Sequence, residues 1–248
     1  MRQPVRRSKR ATSDNGGAKA SFADRNGIIK VDRMLLDCYG DRIWRPHFSD
    51  LLDALIQTVL SQNTSDVNSH RAFSQLKERF PTWEAAGRAS VDQIERAIRS
   101  GGISRIKAER IKILLDMIKR ENGSYSLENL RRMAPGEARD YLDDLPGVGP
   151  KTAAVLLLFN LNYPFFPVDT HVYRVGKRLG INPINAGVEK AHTLMDRLVP
   201  DDIKYRLHMN LIENGRRICV ARKPKCPICC LNKICPRIGV KEVGGDNA

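Results

Sequence analysis

A chain of 248 residues, of which 42% are hydrophobic, is long enough to bury one large core or two modest ones. Its formal net charge of +14 points to an anionic partner, nucleic acid before membrane surface. The basic, polar N-terminus holds no apolar segment, and the longest apolar run, 153–159, is far too short to cross a bilayer. Neither a secretory signal nor a membrane span is expected on this reading, and a soluble intracellular protein is.

Residues 1–25 carry Arg2, Arg6, Arg7, Lys9 and Arg10, then Ser, Asn and Gly, with almost nothing to bury. They read as a disordered basic arm, serving either DNA affinity or solubility. From Ile28 the pattern is helical. Ile28, Val31, Met34, Leu35 and Cys38 share one face, which makes Cys38 a core residue. A helix over 48–60 turns Leu51, Leu52, Leu55 and Val59 inward. It ends at Ser61-Gln62-Asn63-Thr64-Ser65-Asp66, a polar segment that caps the next helix, which carries Val67, Phe73, Leu76 and Phe80. Helices over 91–99 and 105–120 are separated by Ser100-Gly101-Gly102-Ile103-Ser104, where Ile103 either folds back on the core or stands exposed. Another helix over 126–132 follows.

Ala138, Tyr141 and Leu142 repeat at helical spacing before Leu145-Pro146-Gly147-Val148-Gly149-Pro150-Lys151, and an apolar helix-forming run over 151–161 comes after it. Two helices joined by so short a turn form a helix-hairpin-helix. Gly147 and Gly149 open backbone conformations closed to other residues, Pro150 suits a first helical turn, and the amides at a helix start can hold a phosphate. A tight turn between two core helices is the plainer reading. Lys151 stands against the helix dipole, a local misfit that asks for a functional reason. Tyr163-Pro164-Phe165-Phe166-Pro167 ends the helix, and Asp169, in Val168-Asp169-Thr170-His171, begins another with Val172, Val175 and Leu179. N-capping alone explains an aspartate there. Helices over 188–198 and 203–217 complete the helical part, with no repeat and no persuasive strand.

Five of the six cysteines fall between Cys219 and Cys235. The spacing Cys219-x6-Cys226-x2-Cys229-x5-Cys235 reads as a metal or cluster site rather than a disulfide framework, with zinc and iron–sulfur both open on spacing alone. Cys230 is a bystander. From Arg216 to Arg237 there are seven Lys or Arg and no Asp or Glu, so this loop presents a basic surface.

Residues 145–153 through Lys151, Thr152 and Ala153, then Val168-Asp169-Thr170-His171, then the four late cysteines, together resemble the helix-hairpin-helix DNA glycosylases of the endonuclease III type over 28–236. The resemblance implies an all-α, two-lobed fold: a helical barrel over 46–162 that includes the hairpin, a cluster lobe of 26–45 plus 163–237, and a flexible tail over 238–248. It implies a [4Fe–4S] cluster on Cys219, Cys226, Cys229 and Cys235, and a monomer that takes double-stranded DNA with damaged bases or abasic sites across its cleft. A cytoplasmic, nucleoid-associated location follows in a prokaryote.

In such enzymes the residue matching Lys151 attacks C1′ of the deoxyribose, and the Schiff base that forms allows β-elimination; the residue matching Asp169 stabilises charge developing on the sugar. The resemblance further implies DNA contacts from Gly147, Val148, Gly149 and His171, a gap-filling side chain at Gln62 or Asn63, and an apolar wedge at Ile103. The expected activity is excision of damaged bases, oxidised pyrimidines foremost, with nicking of the abasic site. Three alternatives stand beside it. A monofunctional glycosylase of this fold typically lacks the lysine, a demethylating glycosylase shares it, and a non-catalytic DNA-binding module requires neither Lys151 nor Asp169.

Overall fold

The computed structural model describes residues 22–183 and 185–240, and within them the chain is helical with no strand. Before the hairpin come α1 (Arg25–Tyr39), α2 (Leu51–Ser61), α3 (Asp66–Arg79), α4 (Trp83–Arg88), α5 (Val91–Ala97) and α6 (Ser104–Asn122). The hairpin joins α7 (Pro135–Asp143) to α8 (Pro150–Leu161), and α9 (Thr170–Arg178), α10 (Val188–Leu198) and α11 (Lys204–Arg217) follow. Short polar side chains fix many of the starts, because they accept from amides that a first turn leaves unpaired. Asp24 accepts from Gly27 N at 2.6 Å, Asp50 from Leu52 N at 2.7 Å, and Ser90 with Gln93 closes a capping box on α5.

The buried apolar residues separate into two cores. One, built from α2 to α8, includes Leu55, Ile56, Leu76, Ile111, Leu115 and Leu157. The other joins α1 to α9, α10, α11 and the cysteine loop through Ile28, Leu35, Phe166, Val172, Leu211 and Leu231. Each fully buried Leu, Ile or Phe contributes about 1.5–3 kcal/mol of transfer free energy to its core. The described residues start in the second core, cross to the first and return. The crossing is pinned to the end of α8, where Trp44 Nε1 donates to the Leu158 carbonyl at 2.8 Å and Phe48 N to Asn160 Oδ1 at 3.0 Å. On the other side, the buried Asp32 of α1 pairs with Arg206 of α11 at 2.7 Å. Two elements remote in sequence are thereby locked together.

Several expectations are corrected. Cys38 is exposed, because the last turn of α1 runs beyond the buried face made by Ile28, Val31 and Leu35. In α3, which starts at Asp66, the buried stripe is Ser69, Ala72 and Leu76, and Val67 is exposed. The helix over 48–60 begins only at Leu51, since Asp50 caps it, and the helix over 126–132 is a 3₁₀ turn, Glu128–Arg132. Phe22 is buried in the second core and Ile238 N donates to the Arg178 carbonyl at 3.1 Å, so packed chain extends past the boundaries expected at 25 and 238. Arg2, Arg6, Arg7, Lys9 and Arg10 of the expected arm lie outside the described residues, as does 241–248 of the expected tail.

Candidate active site

Leu145 to Gly149 turns the chain between α7 and α8. Gly147 has φ 80°, a conformation that strains any side chain, whereas Gly149 has φ −90° and ψ 173°, open to other residues. The two glycines therefore differ from the expectation that both are conformationally required. A Cβ at Gly149 would meet nothing within 4 Å, so at this position the missing side chain leaves space beside the first turn of α8. Val148 is buried and its N–H returns to the Leu145 carbonyl at 3.1 Å, which makes it part of the hairpin's own scaffold.

Lys151, in the first turn of α8, and Asp169, the N-cap of α9, line the same two adjoining cavities. The first cavity also brings together Gln62, Asn63, Gly147, Gly149 and His171. The second extends behind Lys151 and Asp169 to Gln57, Phe159 and His208. Asp169 Oδ1 accepts from Val172 N at 2.7 Å, which fixes the carboxylate at the positive end of α9. At the mouth of both cavities Arg216 of α11 pairs with Asp66 of α3 at 2.8 Å, an exposed bridge between helices of different cores.

Gln62 and Asn63 differ in freedom. Gln62 Nε2 donates to Thr152 Oγ1 at 3.2 Å and its Oε1 accepts from Arg110 at 3.0 Å, so its side chain lies on the hairpin. Asn63 is exposed in a left-handed conformation, φ 53°. Ile103 is left-handed too, φ 46°, and 53% exposed; it neither folds back on the core nor lines either cavity. Left-handed backbone is costly for a β-branched residue, so the surrounding turn holds it there.

Two histidines shape the electrostatics. His208 is buried between Phe159 and Phe166, and burial lowers its pKa to about 4, with Asp169 pulling the other way and Lys151 adding to the depression. As a neutral ring it donates Nδ1–H to the Pro167 carbonyl at 2.9 Å, two residues before Asp169. His192 lines the first cavity; burial lowers its pKa, and its Nε2 is buried without a partner.

Residues 56–201, more than half the chain, match the family model of the HhH-GPD superfamily base excision DNA repair proteins. The chain belongs to this superfamily, in its endonuclease III branch. It is 40% identical over 198 residues to the DNA glycosylase candidate At3g47830 of Arabidopsis thaliana, covering 78% of this chain and 67% of that one. It is 32% identical to endonuclease III of Thermotoga maritima, over 75% of this chain and 83% of that one. A solved trapped endonuclease III–DNA covalent intermediate superposes with a TM-score of 0.74 at 28% identity, covering 86% of this chain and 96% of that one. The chain is thus an enzyme of the DNA glycosylase/AP lyase class that acts on DNA. No helix among the described residues is long and apolar enough to cross a membrane.

In this HhH-GPD protein Cys219, Cys226, Cys229 and Cys235 line one small cavity, which Cys230 does not. Arg178 donates to Cys219 Sγ at 3.2 Å and Arg237 N to Cys235 Sγ at 3.4 Å, the N–H surroundings that thiolate ligands favour. Among the described residues no group of three or more His, Cys, Asp or Glu side chains is placed to hold a metal ion. Arg178 further donates to the Cys219, Val220 and Ala221 carbonyls, and Arg174 to those of Cys219 and Gly215. Sequence reasoning missed both arginines, although their i, i+4 spacing on α9 aims them at one face.

Proposed function

We propose that this enzyme excises damaged pyrimidines, oxidised or ring-saturated, from duplex DNA and nicks the abasic strand by β-elimination. The observation that carries the reading is the convergence of Lys151 and Asp169, from the starts of two helices in different cores, on one pair of cavities. The trapped covalent intermediate of an endonuclease III supports the covalent route.

Lys151 attacks C1′ as a free amine, the C1′–N bond breaks, and the base departs with its electron pair and gains a proton. Asp169 stabilises positive charge on the sugar as that bond lengthens. The aminal so formed opens as its C1′–O4′ bond breaks, the proton of the attacking amine passing to O4′ and leaving a protonated imine; loss of the proton on C2′ then breaks the C3′–O bond and expels the 3′ phosphate. Extrusion costs a few kcal/mol, offset by phosphate contacts at Gly147 and Gly149 and by Ile103 wedged into the stack, with His171 flanking the sugar. Asn63, exposed and without the bonds that tether Gln62, fills the vacated space. One chain supplies every residue in this scheme, and a monomer suffices.

Cys219, Cys226, Cys229 and Cys235 line one small cavity and would hold a [4Fe–4S] group there. When bound, its contribution is a crosslink that shapes the basic loop for the DNA backbone. The decisive experiment incubates the protein with duplexes carrying single damaged bases, with and without borohydride. Excision with a trapped protein–DNA adduct is expected; excision without an adduct would leave a monofunctional enzyme.

A further inference from the structure

Gln57 of α2 is only 7% exposed and lines the cavity behind Lys151 and Asp169. Its Nε2 lies 3.3 Å from Nδ1 of His70 on α3, while its Oε1 is buried without a hydrogen-bond partner among the described residues. Reversing the two ends of the amide leaves Nε2 free instead, so one end is unpartnered in either orientation. Such an atom on a residue that lines a cavity marks a place for a polar partner. Phe159, Met209 and Ile212 make other parts of this wall apolar, and the ring of His208 is neutral. Of its carboxylates, Asp169 stands at the reaction centre and Asp66 is paired with Arg216. The space suits a flat ring with one hydrogen-bonding edge.

We propose that Gln57, steadied by His70, is the residue that determines which base is accepted, its Oε1 taking the ring N3–H of an extruded thymine- or uracil-derived pyrimidine. This rests on the excision activity proposed above and adds the group that reads the base. A polar site left unpaired by a substrate lacking its donor discriminates strongly against that substrate. A base that carries the N–H supplies the partner this oxygen lacks among the described residues, and a base without it does not.

The test compares single-turnover excision of 5,6-dihydrothymine and of its N3-methyl analogue in otherwise identical duplexes, with nicking of a preformed abasic site as reference. Wild type should prefer the N3–H base by roughly ten- to hundredfold. Gln57→Leu, and Gln57→Met where leucine disturbs α2, should bring that preference close to one. They should also lower the ratio of base excision to abasic-site nicking. A substituted enzyme that keeps the wild-type preference overturns the inference, as does a wild type that excises both bases alike. Equal loss of excision and nicking in both variants assigns Gln57 a structural role only and overturns it too. A wild type with neither activity on any duplex removes the excision reading itself, and this inference with it.

Discussion

Thr64 donates its hydroxyl to the Gly101 carbonyl at 2.6 Å, and Lys107 Nζ donates to that same carbonyl at 2.9 Å and to the Leu60 carbonyl at 2.6 Å. Two loops far apart in sequence, one carrying Asn63 and the other Ile103, are thus tied by one buried ammonium. Lys107→Met keeps the aliphatic stem and leaves the two carbonyls without that donor. Urea unfolding should show a loss of about 2–4 kcal/mol, and affinity for duplex DNA should fall as the loops lose their spacing. A variant with wild-type stability and affinity would show that the tie is idle.

Lys151→Gln removes the amine from an exposed position and so leaves the fold untouched. It should bind damaged duplex, lower excision by roughly three orders of magnitude or more, and form no borohydride-trapped adduct. An adduct that persists moves the nucleophile to another amine.

His208 makes stability depend on pH in a predictable direction. Its folded pKa is lowered from 6.5 to about 4, so as pH falls the unfolded chain takes the proton first. The stabilisation is whole above pH 6.5 and is lost as pH falls through the folded value, at most about 3 kcal/mol for such a shift. His208→Gln, which keeps a donor for the Pro167 carbonyl, should flatten the stability curve between pH 7 and pH 4 relative to wild type. Parallel curves would show that other groups carry the acid sensitivity.

Protein purified without oxygen should contain about four irons per chain, and Cys226→Ser or Cys229→Ser should lose them together with most soluble protein. The second core leans on this loop through Leu231, and few other apolar residues hold it. One zinc and no iron would reject the cluster.

The hairpin, Lys151 and Asp169 were legible in the sequence because their signals are local: a glycine turn with φ 80° at Gly147, a lysine against a dipole, an aspartate at a cap. Lys107, Gln57 and His208 were not, since each sits in an ordinary amphipathic helix and gains its meaning from partners on other segments. Cys38 misled because periodicity gives a face without saying how far along the helix the partner extends. The difference between a tethered Gln62 and an exposed Asn63 likewise shows only in the hydrogen bonds of Gln62 to Thr152 and Arg110.

Asp169 holds two roles that one substitution separates. Its Oδ1 caps α9 through Val172 N at 2.7 Å, and its charge faces the cavity shared with Lys151. Asparagine caps as well as aspartate, so Asp169→Asn loses only the charge–dipole contribution, about 0.3–1 kcal/mol, and should melt close to wild type. Positive charge on the sugar grows as the base departs, and the carboxylate is the anion from this pair of residues that can oppose it. Excision should therefore fall by about 10²–10³, while nicking of a preformed abasic site, where no base leaves, should fall less. Asp169→Ala loses the cap as well and should add roughly 1 kcal/mol of instability to the same kinetic defect. If Asp169→Asn excises at the wild-type rate, the residue is a cap alone, and the charge that stabilises the departing base must come from elsewhere in the cleft.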